Sequence, residues 1–276
     1  MQKNWIVTGC STGLGREIAL AALRNGDRVA VTARRPDSLR QIVDLYPTAS
    51  LAQSLDVTDP AQIRRVVAQT SEAFGRVDVL VNNAGYCQLG AIEEMDDGEA
   101  RSIFETNFFG PLNLIREVLP QMRERRTGRI LNIGSVGAFN PRSGAGVYSA
   151  SKAALDSATE ALVSEVGPLG IKVIIAVVGS LRTQIAESMT YAAHVIDAYR
   201  DNAHRTRQHF RDVSLRQAGD PARVAEVLVG MINEEAPRLR VPLGPGAVER
   251  IRIRLESVAR DTDAGEEISA GVVFGA

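Results

Sequence analysis

Ser135, Tyr148 and Lys152 are the residues whose types and spacing point most directly to chemistry. Tyr148 and Lys152 stand four apart in Tyr148-Ser149-Ala150-Ser151-Lys152, so on a helix they share one face. A phenol ionises near pH ~10, too high for easy proton exchange at neutral pH. A neighbouring ammonium stabilises the phenolate. Lowering the phenol pKa by about two units takes roughly 2.7 kcal/mol, within reach of one Coulombic contact in a half-dry cleft. Ser135 closes the strand-like run Asn132-Ile133-Gly134-Ser135 and brings a hydroxyl thirteen residues ahead of the tyrosine. Taken alone, a Tyr-x₃-Lys pair is poor evidence and reads first as an ordinary pair on a helix surface.

A second constellation lies near the start, in Thr8-Gly9-Cys10-Ser11-Thr12-Gly13-Leu14-Gly15. Glycines at this density let a backbone turn sharply and bring its amides against a pyrophosphate, where a Cβ would clash. The helix that follows offers unpaired N–H groups and a partial positive charge. The spacing is Gly-x₃-Gly-x-Gly rather than the commoner Gly-x-Gly-x₂-Gly, and a plain tight strand–helix turn is the competing reading. The second strand ends Thr32-Ala33-Arg34-Arg35-Pro36, where an NAD-selective site has an acid for the ribose hydroxyls. A 2′-phosphate rewards a guanidinium, so Arg34 chiefly and Arg35 secondarily point to NADP(H), unless both are solvated surface arginines. Asp37 is expected to cap the next helix rather than bind a ribose.

Short apolar runs alternate with helical periodicity to position these residues. Strands are expected at Trp5–Val7, Arg28–Thr32, Leu51–Leu55, Val77–Val81, Arg129–Ile133, Ile171–Val178 and Leu239–Leu243. Helices are expected at Leu14–Asn25, Asp37–Leu45 and from Asp59-Pro60 to Gly75, then in two long spans, about Gly98–Arg125 and Val147–Glu165. Strands with almost no polar interruption belong to parallel sheets covered on both faces, and repeated βα units without a composition break indicate one doubly wound sheet. The polar stretch Thr183–Gly219 and the helix-like Arg250–Ala276 interrupt the alternation. An insertion late in such a sheet is well placed to cover a ligand site.

Composition narrows the class. The chain has 276 residues, 45% hydrophobic and 24% charged, with 32 basic against 33 acidic side chains. These values exclude a disordered or fibrous chain and leave no global attraction for nucleic acid or anionic membrane. Cys10 and Cys87 cannot form a disulfide framework, and no cluster suggests a metal site. His194, His204 and His209 lack helical metal-pair spacing and are expected to be solvated. No signal-like leader or membrane-length apolar run is evident, so a cytoplasmic location is expected.

With these residues in order, the chain resembles the short-chain dehydrogenase/reductase family over at least Ile6–Thr183. Thr8-Gly9-x₃-Gly13-x-Gly15 is similar to the family's cofactor loop. Asp56-Val57 resembles the pair that holds the adenine, and Asn82-Asn83-Ala84-Gly85 the motif that closes strand four beside the adenosine. Asn107 matches a helix asparagine that supports a proton-relay water, and Ser135, Tyr148 and Lys152 match the catalytic trio. One departure stands out in Val177-Val178-Gly179-Ser180-Leu181-Arg182-Thr183: Val178 occupies the family's usual proline, which implies a less rigid loop. Thr183 remains as the implied partner of the nicotinamide carboxamide.

The resemblance implies a Rossmann-type three-layer α/β/α single domain over 1–276, with a small helical substrate cap at 184–218 and a C-terminal helix and tail at 250–276. It implies NADP(H) held by Gly9, Ser11, Thr12, Gly13, Leu14, Gly15, Arg34, Arg35, Asp56, Val57, Asn83, Ala84, Gly85, Tyr148, Lys152, Gly179 and Thr183. The implied activity interconverts a ketone or aldehyde and an alcohol, with Tyr148 as acid–base. Met189, Tyr191, Val195, Ile196 and Tyr199, with Phe139, suggest an apolar or aromatic small-molecule substrate, or else ordinary packing of the cap. A homodimer or homotetramer through the two long helices is implied. The rival readings are a catalytically silent NADP-binding scaffold or sensor, and an epimerase or dehydratase, which would need a longer substrate domain.

Overall fold

Apolar runs buried on both faces become the central sheet of the computed structural model, which describes residues 2–184, 189–213, 215–272 and 274. The strands are β1 (Asn4–Val7), β2 (Arg28–Ala33), β3 (Ser50–Ser54), β4 (Val79–Asn82), β6 (Gly128–Ser135), β7 (Ile171–Val178) and β9 (Arg240–Leu243). They pair in the order β3-β2-β1-β4-β6-β7-β9, every pairing parallel. Two-residue strands β5 (Gln88–Leu89) and β8 (Thr190–Tyr191) make a separate small parallel sheet. This is the Rossmann-type three-layer fold expected. The order reverses direction between β1 and β4, which opens a crevice at the carboxyl ends of the strands.

Side chains alternate across β1, and that alternation divides the core. Trp5 and Val7 pack with α1 (Gly13–Arg24) on one face, while Ile6 packs with α3 (Pro60–Phe74), α5 (Gly110–Glu124) and α6 (Gly146–Val166) on the other. Local signals set the ends of α3. Asp59 accepts from the Ala61 and Gln62 amides ahead of Pro60, and Gly75 closes the helix at φ +89°. Asp37 does not cap as expected; it sits inside a 3₁₀ turn, Pro36–Leu39, that leads into α2 (Arg40–Leu45).

The first long helix departs from its expected form. It divides into α4 (Asp97–Phe104), a π-helical turn (Glu105–Phe109) and α5. A π turn widens the backbone by one residue and is frequent at functional sites; here it carries Asn107. A helix not anticipated from sequence, α8 (Pro221–Ile232), packs Val224, Ala225 and Leu228 into the α1 side of the core. Its start repeats the Asp-Pro signal of α3: Asp220 accepts from the Ala222 and Arg223 amides.

Between β8 and α8 the chain forms a cover that includes α7 (Ala203–Asp212). A buried carboxyl group ties it down. Glu94 accepts from the Ile196 amide at 2.8 Å and from the Ala91 amide at 2.8 Å, and pairs with His204 Nε2 at 2.7 Å. His204 is therefore not solvated as expected, whereas His194 and His209 are exposed. Among the described residues no helix is long and apolar enough to cross a membrane. The last helix, α9 (Ala247–Ala270), buries only Ala247.

Candidate active site

The carboxyl ends of β1, β2, β3, β4, β6 and β7 open into one crevice of about 820 Å³. Its floor contains Gly9, Ser11, Thr12, Gly13 and Leu14; one end holds Arg34, Asp56 and Val57; the middle holds Asn83, Ala84 and Gly85. Ser135, Tyr148 and Lys152 line the far wall, and Gly179 and Thr183 also line the crevice, Thr183 Cβ lying 3.5 Å from where a Cβ on Gly13 would sit. Three expected residues are not on the wall. Gly15 and Asn107 are buried, and Arg35 stands exposed at the start of the 3₁₀ turn.

The floor is shaped by the absence of side chains. Gly9 and Gly13 sit at φ +72° and +61°, where L residues are strained. A Cβ on Gly15 would lie 2.2 Å from Asn83 Nδ2 and 2.4 Å from Gly9 O, so this glycine serves close packing rather than direct binding. Thr8 and Asn83 hold the loop. Thr8 Oγ1 accepts from the Asn83 and Ala84 amides at 2.9 Å each, and Asn83 Nδ2 donates to Thr8 O at 2.8 Å. The Asn83 side chain is thus a brace for the turn.

The exposed end matches a polyanionic ligand in part. Arg34 faces the crevice, and among the described residues neither it nor Arg35 forms an ion pair. Asp56 Oδ1 accepts from the Thr58 amide at 3.0 Å and its hydroxyl at 2.8 Å, which fixes the carboxylate at the rim. The tight glycine turn and the helix start that follows fit the pyrophosphate of a nicotinamide dinucleotide.

At the far wall, α6 and β6 meet. A Cβ on Gly137 would lie 3.3 Å from Ser135 Oγ and 3.7 Å from Tyr148 Cε1, so both side chains crowd one small residue. A Cβ on Gly85 would lie 2.9 Å from Asn107 Oδ1 and 3.5 Å from Lys152 Nζ. Lys152 Nζ donates to Ile133 O at 2.9 Å. Asn107 is fully buried and committed to protein partners: Oδ1 accepts from the Tyr86 amide at 3.1 Å, and Nδ2 donates to Tyr86 O at 3.0 Å and Ser151 Oγ at 3.1 Å. Ser151 Oγ in turn donates to Tyr148 O at 2.7 Å.

Desolvation governs the ionisation of this wall. Burial raises the Tyr148 phenol above its usual value; the Cys87 thiol adds to the rise, and the hydrogen bond with Ser135 opposes it. Burial also pushes Lys152 down to about 8. A net lowering of the phenol, expected from the i,i+4 spacing, is outweighed here by burial. A dry wall favours the neutral form of both groups, and the amine is engaged by Ile133 O. Burial pushes both thiols up to about 12, which makes Cys10 and Cys87 poor nucleophiles.

Behind Tyr148, a buried apolar cluster gathers Cys87, Leu89, Ala145 and Met189, with Tyr191 and Phe210 against it, and none of these six lines the crevice. Met189 and Tyr191 thus take the packing role that was the alternative to substrate contact. Of the other expected substrate residues, Val195 is exposed, Tyr199 donates to Glu93, and the Ile196 amide serves Glu94. Phe139 packs toward α9 instead. Val178 ends β7, which pairs with β6 and β9 through that residue, and the Gly179 amide donates to Leu243 O at 2.8 Å. A proline there would bring no amide to the ladder.

Sequence reasoning also missed a buried ladder behind the wall. Asn82 Nδ2 donates to Asn132 Oδ1 at 2.8 Å, and Asn132 Nδ2 donates to Thr159 Oγ1 at 2.8 Å. Its signal was present: Asn82 and Asn132 interrupt otherwise apolar strands. Among the described residues no cluster suited to a metal ion occurs.

Comparison with known proteins bears on this geometry. A family model described as short chain dehydrogenase matches residues 3–193. The chain is 33% identical to Oxidoreductase BOA17 of Botryotinia fuckeliana, over 98% of each chain. It superposes on a crystal structure of a short-chain dehydrogenase from Streptomyces avermitilis with a TM-score of 0.93 at 43% identity, covering 99% and 98% of the two chains. A short chain dehydrogenase/reductase from Burkholderia phymatum, solved in complex with NAD, shares the fold at a TM-score of 0.82 and 23% identity, over 94% and 95% of the chains.

Proposed function

Because the chain belongs to the short-chain dehydrogenase/reductase family, we propose that it is an NADP(H)-dependent oxidoreductase that interconverts a ketone or aldehyde and an alcohol, with Tyr148 as general acid–base. One observation carries this reading: Ser135, Tyr148 and Lys152 share a crevice with a clash-free glycine floor. The floor amides near Gly9, Ser11, Thr12, Gly13 and Leu14 would hold the pyrophosphate, Asp56 and Val57 the adenine end, and Arg34 the 2′-phosphate. Arg35 lies outside the wall and is assigned no contact. Gly179 and Thr183, the latter beside Gly13, would meet the nicotinamide portion. When bound, the reduced nicotinamide supplies the hydride.

The chain's own residues manage position and charge. Ser135 Oγ holds the substrate oxygen by a hydrogen bond. Tyr148 delivers its proton to that oxygen as negative charge develops there, an acid contribution of about 10²- to 10⁴-fold. Burial keeps the phenol protonated near neutral pH, the form that donates to the developing alkoxide. Lys152, at about 8, remains mostly cationic at pH 7 and places positive charge beside the crevice. Asn107 acts through others: it fixes Tyr86 and Ser151, and Ser151 fixes the Tyr148 backbone. The chain around β8 reaches the site through Thr190, and Tyr86 on the crevice lining would meet an apolar or aromatic portion of the substrate.

The test is Tyr148→Phe, assayed by NADPH absorbance against a panel of carbonyl compounds. Turnover falls by at least about 10² while NADPH binding, followed by fluorescence, is unchanged. Wild-type turnover in the variant removes Tyr148 from the reaction. Absence of turnover in the wild-type protein with every carbonyl and alcohol tried, at saturating NADPH, returns the chain to the scaffold reading.

A further inference from the structure

Tyr86 and Thr190 both line the crevice, and the small sheet ties them together: β5 begins two residues after Tyr86, and β8 begins at Thr190. Each strand of that sheet is only two residues long, so its backbone anchors little of the chain that follows. Cys87 O accepts from the Thr190 amide at 3.1 Å and Leu89 O from the Ala192 amide at 2.9 Å. Beyond Ala192 two carboxylates take over the work of the strand. Glu99 accepts from the Ala193 amide at 3.1 Å, and Glu94 accepts from the Ile196 amide at 2.8 Å.

The two acids divide their oxygens in the same way. Oε2 of each serves the turn in which it stands. Glu94 Oε2 accepts from the Ala91 amide at 2.8 Å, at the start of the 3₁₀ turn Ile92–Glu94. Glu99 Oε2 accepts from the Asp96 amide at 3.1 Å, at the start of α4. Oε1 of each reaches across to the cover: Glu94 to the Ile196 amide and His204 Nε2, Glu99 to the Ala193 amide. Glu99 Oε1 also accepts from Gln88 Nε2 at 2.7 Å, and Gln88 is the register partner of Thr190. Closing a helix start takes only one of these oxygens. That the second is spent on the cover at two successive turns is not explained by capping.

The free energy of Glu94 points the same way. It is 3% exposed, and among the described residues no lysine or arginine pairs with it. Burial opposes its ionisation, but hydrogen bonds from the Ile196 amide, His204 and the Ala91 amide outweigh this and hold the carboxyl below its ordinary value. Two of those three donors belong to the cover. The buried charge and the seated cover therefore require one another.

We propose that Glu94 and Glu99 are positioning residues for the carbonyl substrate: together they clamp the chain from Thr190 to Ile196 and so set where Thr190 stands on the crevice wall opposite Tyr86. Their part in catalysis rests on the oxidoreductase reading of the crevice, whereas the clamp is a property of the fold.

Two measurements on the full chain separate these. In Glu94→Gln and Glu99→Gln one carboxylate oxygen becomes an N–H group, so the acid no longer serves both its own turn and the cover. Hydrogen exchange followed by mass spectrometry over 190–204 speeds up by about tenfold in each variant, while exchange in β1 and β4 is unchanged. In steady-state reduction with NADPH, KM for the carbonyl compound rises by about tenfold and KM for NADPH stays within about twofold. Glu99 is only partly buried, so its variant tests the clamp even where Glu94→Gln folds poorly. His204→Leu removes one donor without altering the buried acid and raises the carbonyl KM by about threefold; His204→Gln, whose side-chain amide donates in place of Nε2, restores it. Exchange over 190–204 that is the same in the wild type and both glutamine variants overturns the clamp, whatever the activity. Faster exchange with an unchanged carbonyl KM, or an equal rise in both KM values, overturns the positioning role. A wild type without turnover on any carbonyl compound defeats the oxidoreductase reading and the positioning role with it, and exchange alone then decides the clamp.

Discussion

The two ends of the crevice are made of different material. At the glycine floor the working surface is backbone: Gly9 and Gly13 at positive φ, an amide-lined turn, and Thr8 and Asn83 holding it through neutral hydrogen bonds. At the far wall the working surface is side chain: a desolvated phenol, a desolvated amine and the Ser135 hydroxyl. The floor needs clearance, which costs little once the turn is made. The wall needs ionisable groups kept from water, and this lowers stability. The amine's pKa of about 8 in the fold, against an ordinary value of 10.5, corresponds to about 3 kcal/mol at pH 7.

Changes at each end should separate these costs. The largest effect is expected from Lys152→Met. Turnover falls by more than about 10², yet the folded chain gains about 2 kcal/mol at pH 7. That gain is the relieved desolvation less about 1 kcal/mol for leaving Ile133 O without its donor. The sign follows from the depressed pKa: between about 8 and 10.5 the unfolded chain binds more protons than the folded one. Wild-type stability therefore rises across that window and the advantage of the variant fades. Chemical denaturation at pH 7 and pH 10 measures both, and a variant no more stable than wild type at pH 7 refutes the costly-wall view.

At the floor, Gly15→Ala drives a methyl into Asn83 Nδ2 and Gly9 O, at 2.2 and 2.4 Å. The expected loss is about 1–3 kcal/mol, with weaker dinucleotide binding and no pH dependence between 7 and 10. Calorimetric titration and thermal melts decide it; an undisturbed loop would mean the brace yields freely. The smallest effect is expected at the rim, where Arg34→Ala lowers the preference for NADPH over NADH by about tenfold and leaves NADH kinetics unchanged. Equal loss with both cofactors would move the 2′-phosphate contact elsewhere.

Much of the floor was legible because its chemistry is local. A glycine-rich turn between an apolar strand and an amphipathic helix is written in consecutive residues, and Arg34 follows the same strand that ends at Ala33. The wall was legible only as residue types. That Ser135 and Tyr148 converge, and that Asn107 spends its amide on Tyr86 and Ser151, depends on partners up to 44 residues away. The unbroken apolar periodicity of 98–125 gave no hint of the π turn at Glu105–Phe109. α8 went unread although Asp220-Pro221 carries the same start signal as Asp59-Pro60.

Strand and helix periods, the two Asp-Pro caps, the glycine floor and the Tyr-x₃-Lys face are properties of neighbouring residues, so the sequence alone determined the doubly wound sheet and most of the residue types at its crevice. Tertiary structure decided which of them line it, with Gly15, Asn107 and Arg35 left off the wall, and how they behave: which carboxylates hold the cover, and why the phenol rises instead of falling. Burial is a sum over chain segments brought together from far apart, and the free energy of a charge depends on that sum rather than on its neighbours along the chain.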